Sequence, residues 1–174
     1  MNQPYIVVFA GAPGSSKSIV SHYLSMEFSL PILNRDTIRS EVKEEFLVSN
    51  INEPHALVEF EQRFTDRWEA ALALGESFIL DGSVDRSWPR TKRELQATGF
   101  SWFMIDMELS REFFTELFTA TKRPKSIGQL DMYLGQHEAF MGKYRADVNI
   151  EIDDAAFPQR CELAAEGLAA FLAE

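Results

Sequence analysis

The chain has 174 residues, a formal charge of −10, 45% hydrophobic residues and one cysteine, Cys161. That length suits a single domain with a substantial core, and fourteen Phe with three Trp exclude a disordered or fibrous chain. No internal disulfide can form, which suits a reducing, cytoplasmic setting; the acidic balance makes long nucleic acid an unfavourable partner.

In chain order, Tyr5–Ala10 is a continuous apolar run rich in β-branched residues, as expected of a central parallel strand covered on both faces. No basic segment precedes it and it is too short to span a bilayer, so neither a leader nor a membrane span is expected. Residues 11–16 read as a turn and 17–28 as a helix with Ile19, Val20, Tyr23 and Leu24 inside. A short strand at 32–33 leads to a helix over 37–48, with Ile38, Val42 and Phe46 on one face. After Pro54 a helix over 56–74 repeats Leu57, Phe60, Phe64, Trp68 and Leu72, which reads as core, and Gly75 stops it. A strand at 78–80 ends in Asp81. A helix near 88–97, a strand at 102–107 and a helix near 110–118 come next. The basic segment 119–128 leads to a helix over 127–141, a strand at 148–152 and a closing helix at 158–172 with Pro158 in its first turn. Strands alternating with helices imply one α/β domain, its five parallel strands lying between helical layers.

The most informative segment is strand, glycine-rich turn, Lys-Ser, helix: IVVFA-GAPGSSKS-IVSHYL. Gly11 and Gly14 let the backbone of Gly11, Ala12, Pro13, Gly14, Ser15 and Ser16 curl into a concave anion nest. The helix start adds unpaired N–H groups and a favourable dipole. Lys17 is placed to reach the β- and γ-phosphates of a nucleotide, and Ser18 to join the shell of a Mg²⁺ ion. Ser16 stands where the strict pattern G-x-x-x-x-G-K-[ST] has glycine; its side chain fits if that position has helical dihedrals, and otherwise crowds a phosphate. Asp81 closes the apolar FIL, where a carboxylate can hold a metal-bound water beside Ser18.

Four blocks carry a resemblance: VFAGAPGSSKS at 8–18, LNRDTIRSE at 33–41, ILDGS at 79–83 and KRPKSIGQLDMYLGQHEAF at 122–140. With these the chain resembles the small P-loop kinase superfamily, and most closely the kinase domain of phage-type polynucleotide 5′-kinases and related single-domain ATP-binding proteins. The resemblance implies the three-layer P-loop NTPase fold, a parallel sheet of order 2-3-1-4-5 and a small basic lid. It implies ATP and Mg²⁺ as cofactors and a hydroxyl acceptor. Asp36 would take the acceptor's proton, Arg39 would hold an acceptor phosphate, and Arg123 of the lid would face the transferring phosphoryl group. The lid is thinner than the family pattern, with Thr119, Ala120 and Thr121 where a further arginine is usual; Lys122 or Lys125 is the only nearby substitute.

Asp36 and Arg39 lie three apart, so they share a helix face, either as acid and anion holder or as a pair stabilising that helix. Arg86, Arg90, Lys92 and Arg93 read equally as a cleft for an acidic small-molecule acceptor, with Arg86 and Arg90 as its binders, or as a solvated face. A nucleotide-binding pseudokinase or switch acting through a protein partner is the alternative to an ATP-dependent kinase. No N-K-x-D stretch supports a GTPase. His22, His55 and His137 are expected at the surface or in packing, and Cys161 as structural rather than nucleophilic. Nothing in the residues indicates an oligomeric state or a base preference.

Overall fold

A computed structural model describes residues 3–121 and 124–173, with the side chains of 124–126 excepted. β1 (Tyr5–Ala10) forms the middle of the sheet, and Ile6 to Ala10 are entirely buried. Their alternation splits the core: Val7 and Phe9 face one layer, Ile6, Val8 and Ala10 the other. β2 (Ile32–Asn34), β3 (Phe78–Ser83), β4 (Ser101–Met107) and β5 (Ile150–Ile152) complete the sheet. The order is β2-β3-β1-β4-β5, every neighbouring pair parallel, as the alternation of strands and helices implied.

Seven α-helices are described: α1 (Lys17–Phe28), α2 (Arg35–Glu45), α3 (Pro54–Leu74), α4 (Trp88–Thr98), α5 (Arg111–Ala120), α6 (Leu130–Tyr144) and α7 (Arg160–Ala173). Val20 and Leu24 of α1, Phe114 and Phe118 of α5 and Leu168 of α7 close over the Val7/Phe9 face. Trp68 of α3, Trp88 and Leu95 of α4 and Phe140 of α6 close over the other. Ile38 and Val42 pack with Ala56 and Phe60 in a separate cluster between α2 and α3.

Several expectations are corrected. Ile19 is 56% exposed, because Val20 and Leu24, four apart, take the inner face of α1. Leu57 lies on the outside of α3, whose inner stripe is Ala56, Phe60 and Trp68, and Phe46 lies past the end of α2, half out of the core. Helix α2 starts at Arg35, two residues early, because Asn34 Oδ1 accepts the Thr37 N–H at 2.9 Å and caps it. Proline displaces two other starts: Pro124–Gln129 and Phe157–Gln159 are 3₁₀ turns leading into α6 and α7. The last strand is shorter than expected, beginning at Ile150.

Candidate active site

The loop after β1 is strained where the sequence most needs it to be. Gly11 has φ 114° and Gly14 has φ 89°, and a Cβ on Gly11 would stand 2.8 Å from the Met107 carbonyl oxygen. Ser16 has φ 70° and ψ 19°, so it is left-handed, not helical in the ordinary sense, and its side chain holds a conformation that suits glycine. Arg160 Nε donates to Ser16 Oγ at 3.2 Å while its guanidinium lies over the Phe157 ring, 4.3 Å from the centroid.

Lys17 is buried within its own loop, donating to Gly11 O (2.9 Å), Ala12 O (2.7 Å) and Ser15 Oγ (2.9 Å). Burial lowers its pKa to about 8, against the pull of Asp85, Asp81 and Asp106. The ammonium thus holds the curl of the loop, at the site where a phosphate oxygen would compete for it.

The ends of β2 and β3 supply the next layer. Ser18 Oγ donates to Asp81 Oδ1 at 3.1 Å, and Asn34 Nδ2 donates to Asp81 Oδ2 at 2.5 Å. Burial raises the Asp81 pKa, opposed by the Ser18 hydrogen bond. A hydroxyl and a carboxylate side by side at the start of α1 are oxygen donors of the type Mg²⁺ takes alongside phosphate and water, so these residues fit the metal.

A second centre lies on α2. Arg39 Nη1 meets Asp36 Oδ1 at 2.5 Å, with Asp36 strongly exposed. The Arg35 guanidinium lies over Phe64 and Phe60 (4.5 and 5.7 Å), and that of Arg39 over Phe60 (5.3 Å). Both Nε atoms are buried without a hydrogen-bond partner among the described residues. Burial lowers the Arg35 pKa; Glu61 opposes this, and Arg39 and Arg86 add to it. Arg35 and Arg39 share the Phe60 ring.

Neither a family model nor a curated protein matches the chain, but solved structures do. A gluconokinase from Sinorhizobium meliloti aligns over 99% of this chain and 95% of its own at 19% identity and TM-score 0.63. A shikimate kinase from Acinetobacter baumannii, in complex with shikimate, aligns over 98% and 94% at 16% and 0.60. An APS kinase from Mycobacterium tuberculosis, in complex with AMPPNP and APS, aligns over 97% and 99% at 13% and 0.58. The fold is that of the small P-loop kinases.

Within that P-loop kinase fold, the structure brings together the loop 11–16, Lys17, Ser18 and Asp81, and separately Asp36 and Arg39; no contact among the described residues ties Arg86 to either group. It does not bring Arg90 to them by any contact: Arg90 pairs with Glu94 at 2.7 Å along α4. Lys92 pairs with Asp147, and Arg93 donates to Pro89 O, so most of the basic stretch 86–93 is a helix face. Arg123 lies outside the described residues. Arg35, Arg160 and Asn34 are site residues that sequence reasoning missed. Asn34 and Arg35 directly precede Asp36 in the NRDxxR block, but the partners that show their use, Phe60, Phe64 and Asp81, come from α3 and β3. Arg160 is 144 residues from Ser16, and no local signal marks it. His137, expected in packing, is buried between two carboxylates at the strand ends.

Proposed function

We propose that this protein is an ATP-dependent kinase that moves the γ-phosphoryl group to a hydroxyl of a small, negatively charged acceptor. The supporting observation is the pairing of two centres: a lysine-braced phosphate loop beside the Ser18–Asp81 oxygens, and a carboxylate, Asp36, paired with Arg39 and next to Arg35 on the same helix. Phosphoryl transfer needs position and charge neutralisation more than covalent chemistry, and these centres supply both. Lys17 and the loop amides hold the β- and γ-phosphates. Ser18 and Asp81 would hold Mg²⁺, which would offset phosphate charge. Asp36 accepts the acceptor's hydroxyl proton as its oxygen bonds to the γ-phosphorus and the bond to the β-phosphate oxygen breaks, releasing ADP. Arg123 adds positive charge from the lid.

Arg35 and Arg39, with Arg86 as the third candidate, support an acceptor bearing a carboxylate or phosphate, the groups a guanidinium binds as a planar fork. The solved neighbours include kinases bound to shikimate and to APS. A polynucleotide acceptor, the finer expectation from the NRDxxR block, is disfavoured by the net charge of −10. A second reading, a nucleotide-binding switch without turnover, draws on Lys17 being turned onto its own loop.

The test is ADP release with Mg²⁺-ATP across sugars, sugar acids, hydroxy acids, nucleosides, 3′-nucleotides, short oligonucleotides and antibiotics, beside calorimetric ATP binding. Lys17→Ala is expected to lose ATP binding. Asp36→Asn is expected to keep it while turnover falls by about 10²–10⁴-fold. Tight ATP binding with no transfer to any acceptor favours the switch; no binding at millimolar Mg²⁺-ATP refutes both readings.

A further inference from the structure

Beneath the phosphate loop lies a cluster that the transfer reaction leaves unused. His137 of α6 is almost fully buried, its Nδ1 2.9 Å from Asp85 Oδ2 and its Nε2 3.1 Å from Asp106 Oδ1. Asp106, at the end of β4, is completely buried, and neither of its oxygens has a well-aligned donor among the described residues. Two buried carboxylates beside one imidazole favour its charged form, with Nδ1 hydrogen-bonded to Asp85 and Nε2 set near Asp106 without an aligned hydrogen bond. The charged groups that face this ring are Asp85 and Asp106, with Lys17 of the loop acting on both.

The near end of the cluster is the loop itself. Asp85 Oδ1 accepts the Gly11 N–H at 3.1 Å and the Ser83 hydroxyl at 2.6 Å. Gly11 opens the phosphate loop and sits against Met107, where a Cβ would not fit. Its amide is therefore anchored through Asp85 to α6, the helix that starts directly after the Pro124–Gln129 turn.

We propose that His137 is a positioning residue, through which α6 holds Asp85, and with it the Gly11 amide, in the shape that receives the donor nucleotide. The proposal rests on the reading of the loop as the donor site. It differs from a mere internal brace in which half of the imidazole matters: Nδ1, toward Asp85 and the loop, not Nε2, toward Asp106.

Two amide substitutions separate the halves, since an asparagine nitrogen falls near the position of Nδ1 and a glutamine nitrogen near that of Nε2. His137→Asn is expected to hold the ATP dissociation constant and the exchange rate of the Gly11 amide within about threefold of wild type; His137→Gln is expected to raise both by about tenfold, with the larger effect on KM for ATP than on kcat. Equal behaviour of the two variants, whatever their thermal stability, overturns the proposal. Should either fail to fold, the wild type carries the test by NMR without nucleotide. The Gly11 amide shift must then show a titration step that matches the His137 ring and is separate from that of the Lys17 ammonium. Its absence overturns the proposal as well. A wild type that binds no ATP refutes the donor-site reading instead, while the Gly11 measurements still decide the link.

Discussion

Gly14 offers the sharpest physical test of the phosphate loop, because two independent penalties meet there. Its φ of 89° lies where L-residues are strained, and a Cβ would run into Cε1 of Phe118 and stand 3.0 Å from Cζ. Phe118 is 4% exposed and packed among the residues that cover β1, with the Phe114 ring 5.7 Å away, so it has little room to swing aside. Gly14→Ala therefore costs about 1–2 kcal/mol for the backbone and about 1–3 kcal/mol for overpacking, together about 2–5 kcal/mol. In a chain of this size that is a fall in Tm of about 5–15 °C. The assay is urea unfolding of wild type, Gly14→Ala, Phe118→Leu and the double variant. Shortening the ring relieves the collision but not the dihedral strain, so the double variant is expected to be more stable than additivity allows by about 1–3 kcal/mol. Additive losses within about 0.5 kcal/mol, or a Gly14→Ala loss below about 1 kcal/mol, would show that the ring does not bear on the loop.

The buried histidine gives a pH dependence of defined sign. Burial lowers the His137 pKa but Asp106 and Asp85 outweigh it, raising it from 6.5 to about 9. Its contribution to stability is therefore complete below pH 6.5 and lost as pH rises through 9, and is about 3 kcal/mol at its fullest and about 1 kcal/mol by pH 8. Lys17, lowered from 10.5 to about 8, works the other way above pH 8 as its burial penalty is relieved. The stability gap between wild type and His137→Asn, from denaturant curves, is expected to narrow from pH 6.5 to pH 8; a constant gap refutes the assignment. Asp81→Asn leaves one acceptor oxygen where the carboxylate offers two to Ser18 Oγ and Asn34 Nδ2, and is expected to cost about 1–2 kcal/mol. The exchanged pair Asn34→Asp with Asp81→Asn is expected to recover that stability while Mg²⁺-dependent turnover stays about 10²-fold down. Recovery of turnover in the exchanged pair would show that the carboxylate's place on β3 is immaterial.

The sheet was legible because β1 is an unbroken apolar run and β3 and β4 carry apolar runs closed by Asp81 and Asp106, a pattern that suits a parallel sheet covered on both faces. The loop was legible because its residues are contiguous. Sequence distance hid the rest. His137, Asp85 and Asp106 come from α6, the turn after β3 and the end of β4, and no spacing rule joins them. The Arg35 guanidinium needs Phe60 and Phe64 to become a fixed cation, and those rings, read as core, do both: Phe60 is buried, while its face carries two arginines. Ile19 was misplaced for a local reason. Helix periodicity gives an apolar arc, but which of four neighbouring apolar residues lies at its centre depends on how α1 rests on the sheet.

In the proposed kinase, the loop would not attract phosphate by side-chain charge alone. Lys17 and His137 stand among Asp81, Asp85 and Asp106, so among the described groups acting on one another there carboxylates outnumber cations. What favours an anion is oriented backbone: the first turn of α1 leaves N–H groups without partners in the helix, and Gly11, Gly14 and Ser16 turn the chain so that it wraps around one centre. Ser16 then has a reason to exist despite its dihedral strain, because its hydroxyl brings the Arg160 guanidinium to the loop at a position where glycine offers no acceptor side chain. A loop that gives up the second glycine of its pattern gains a cation at its rim, next to a cradle whose own lysine is occupied in holding it shut.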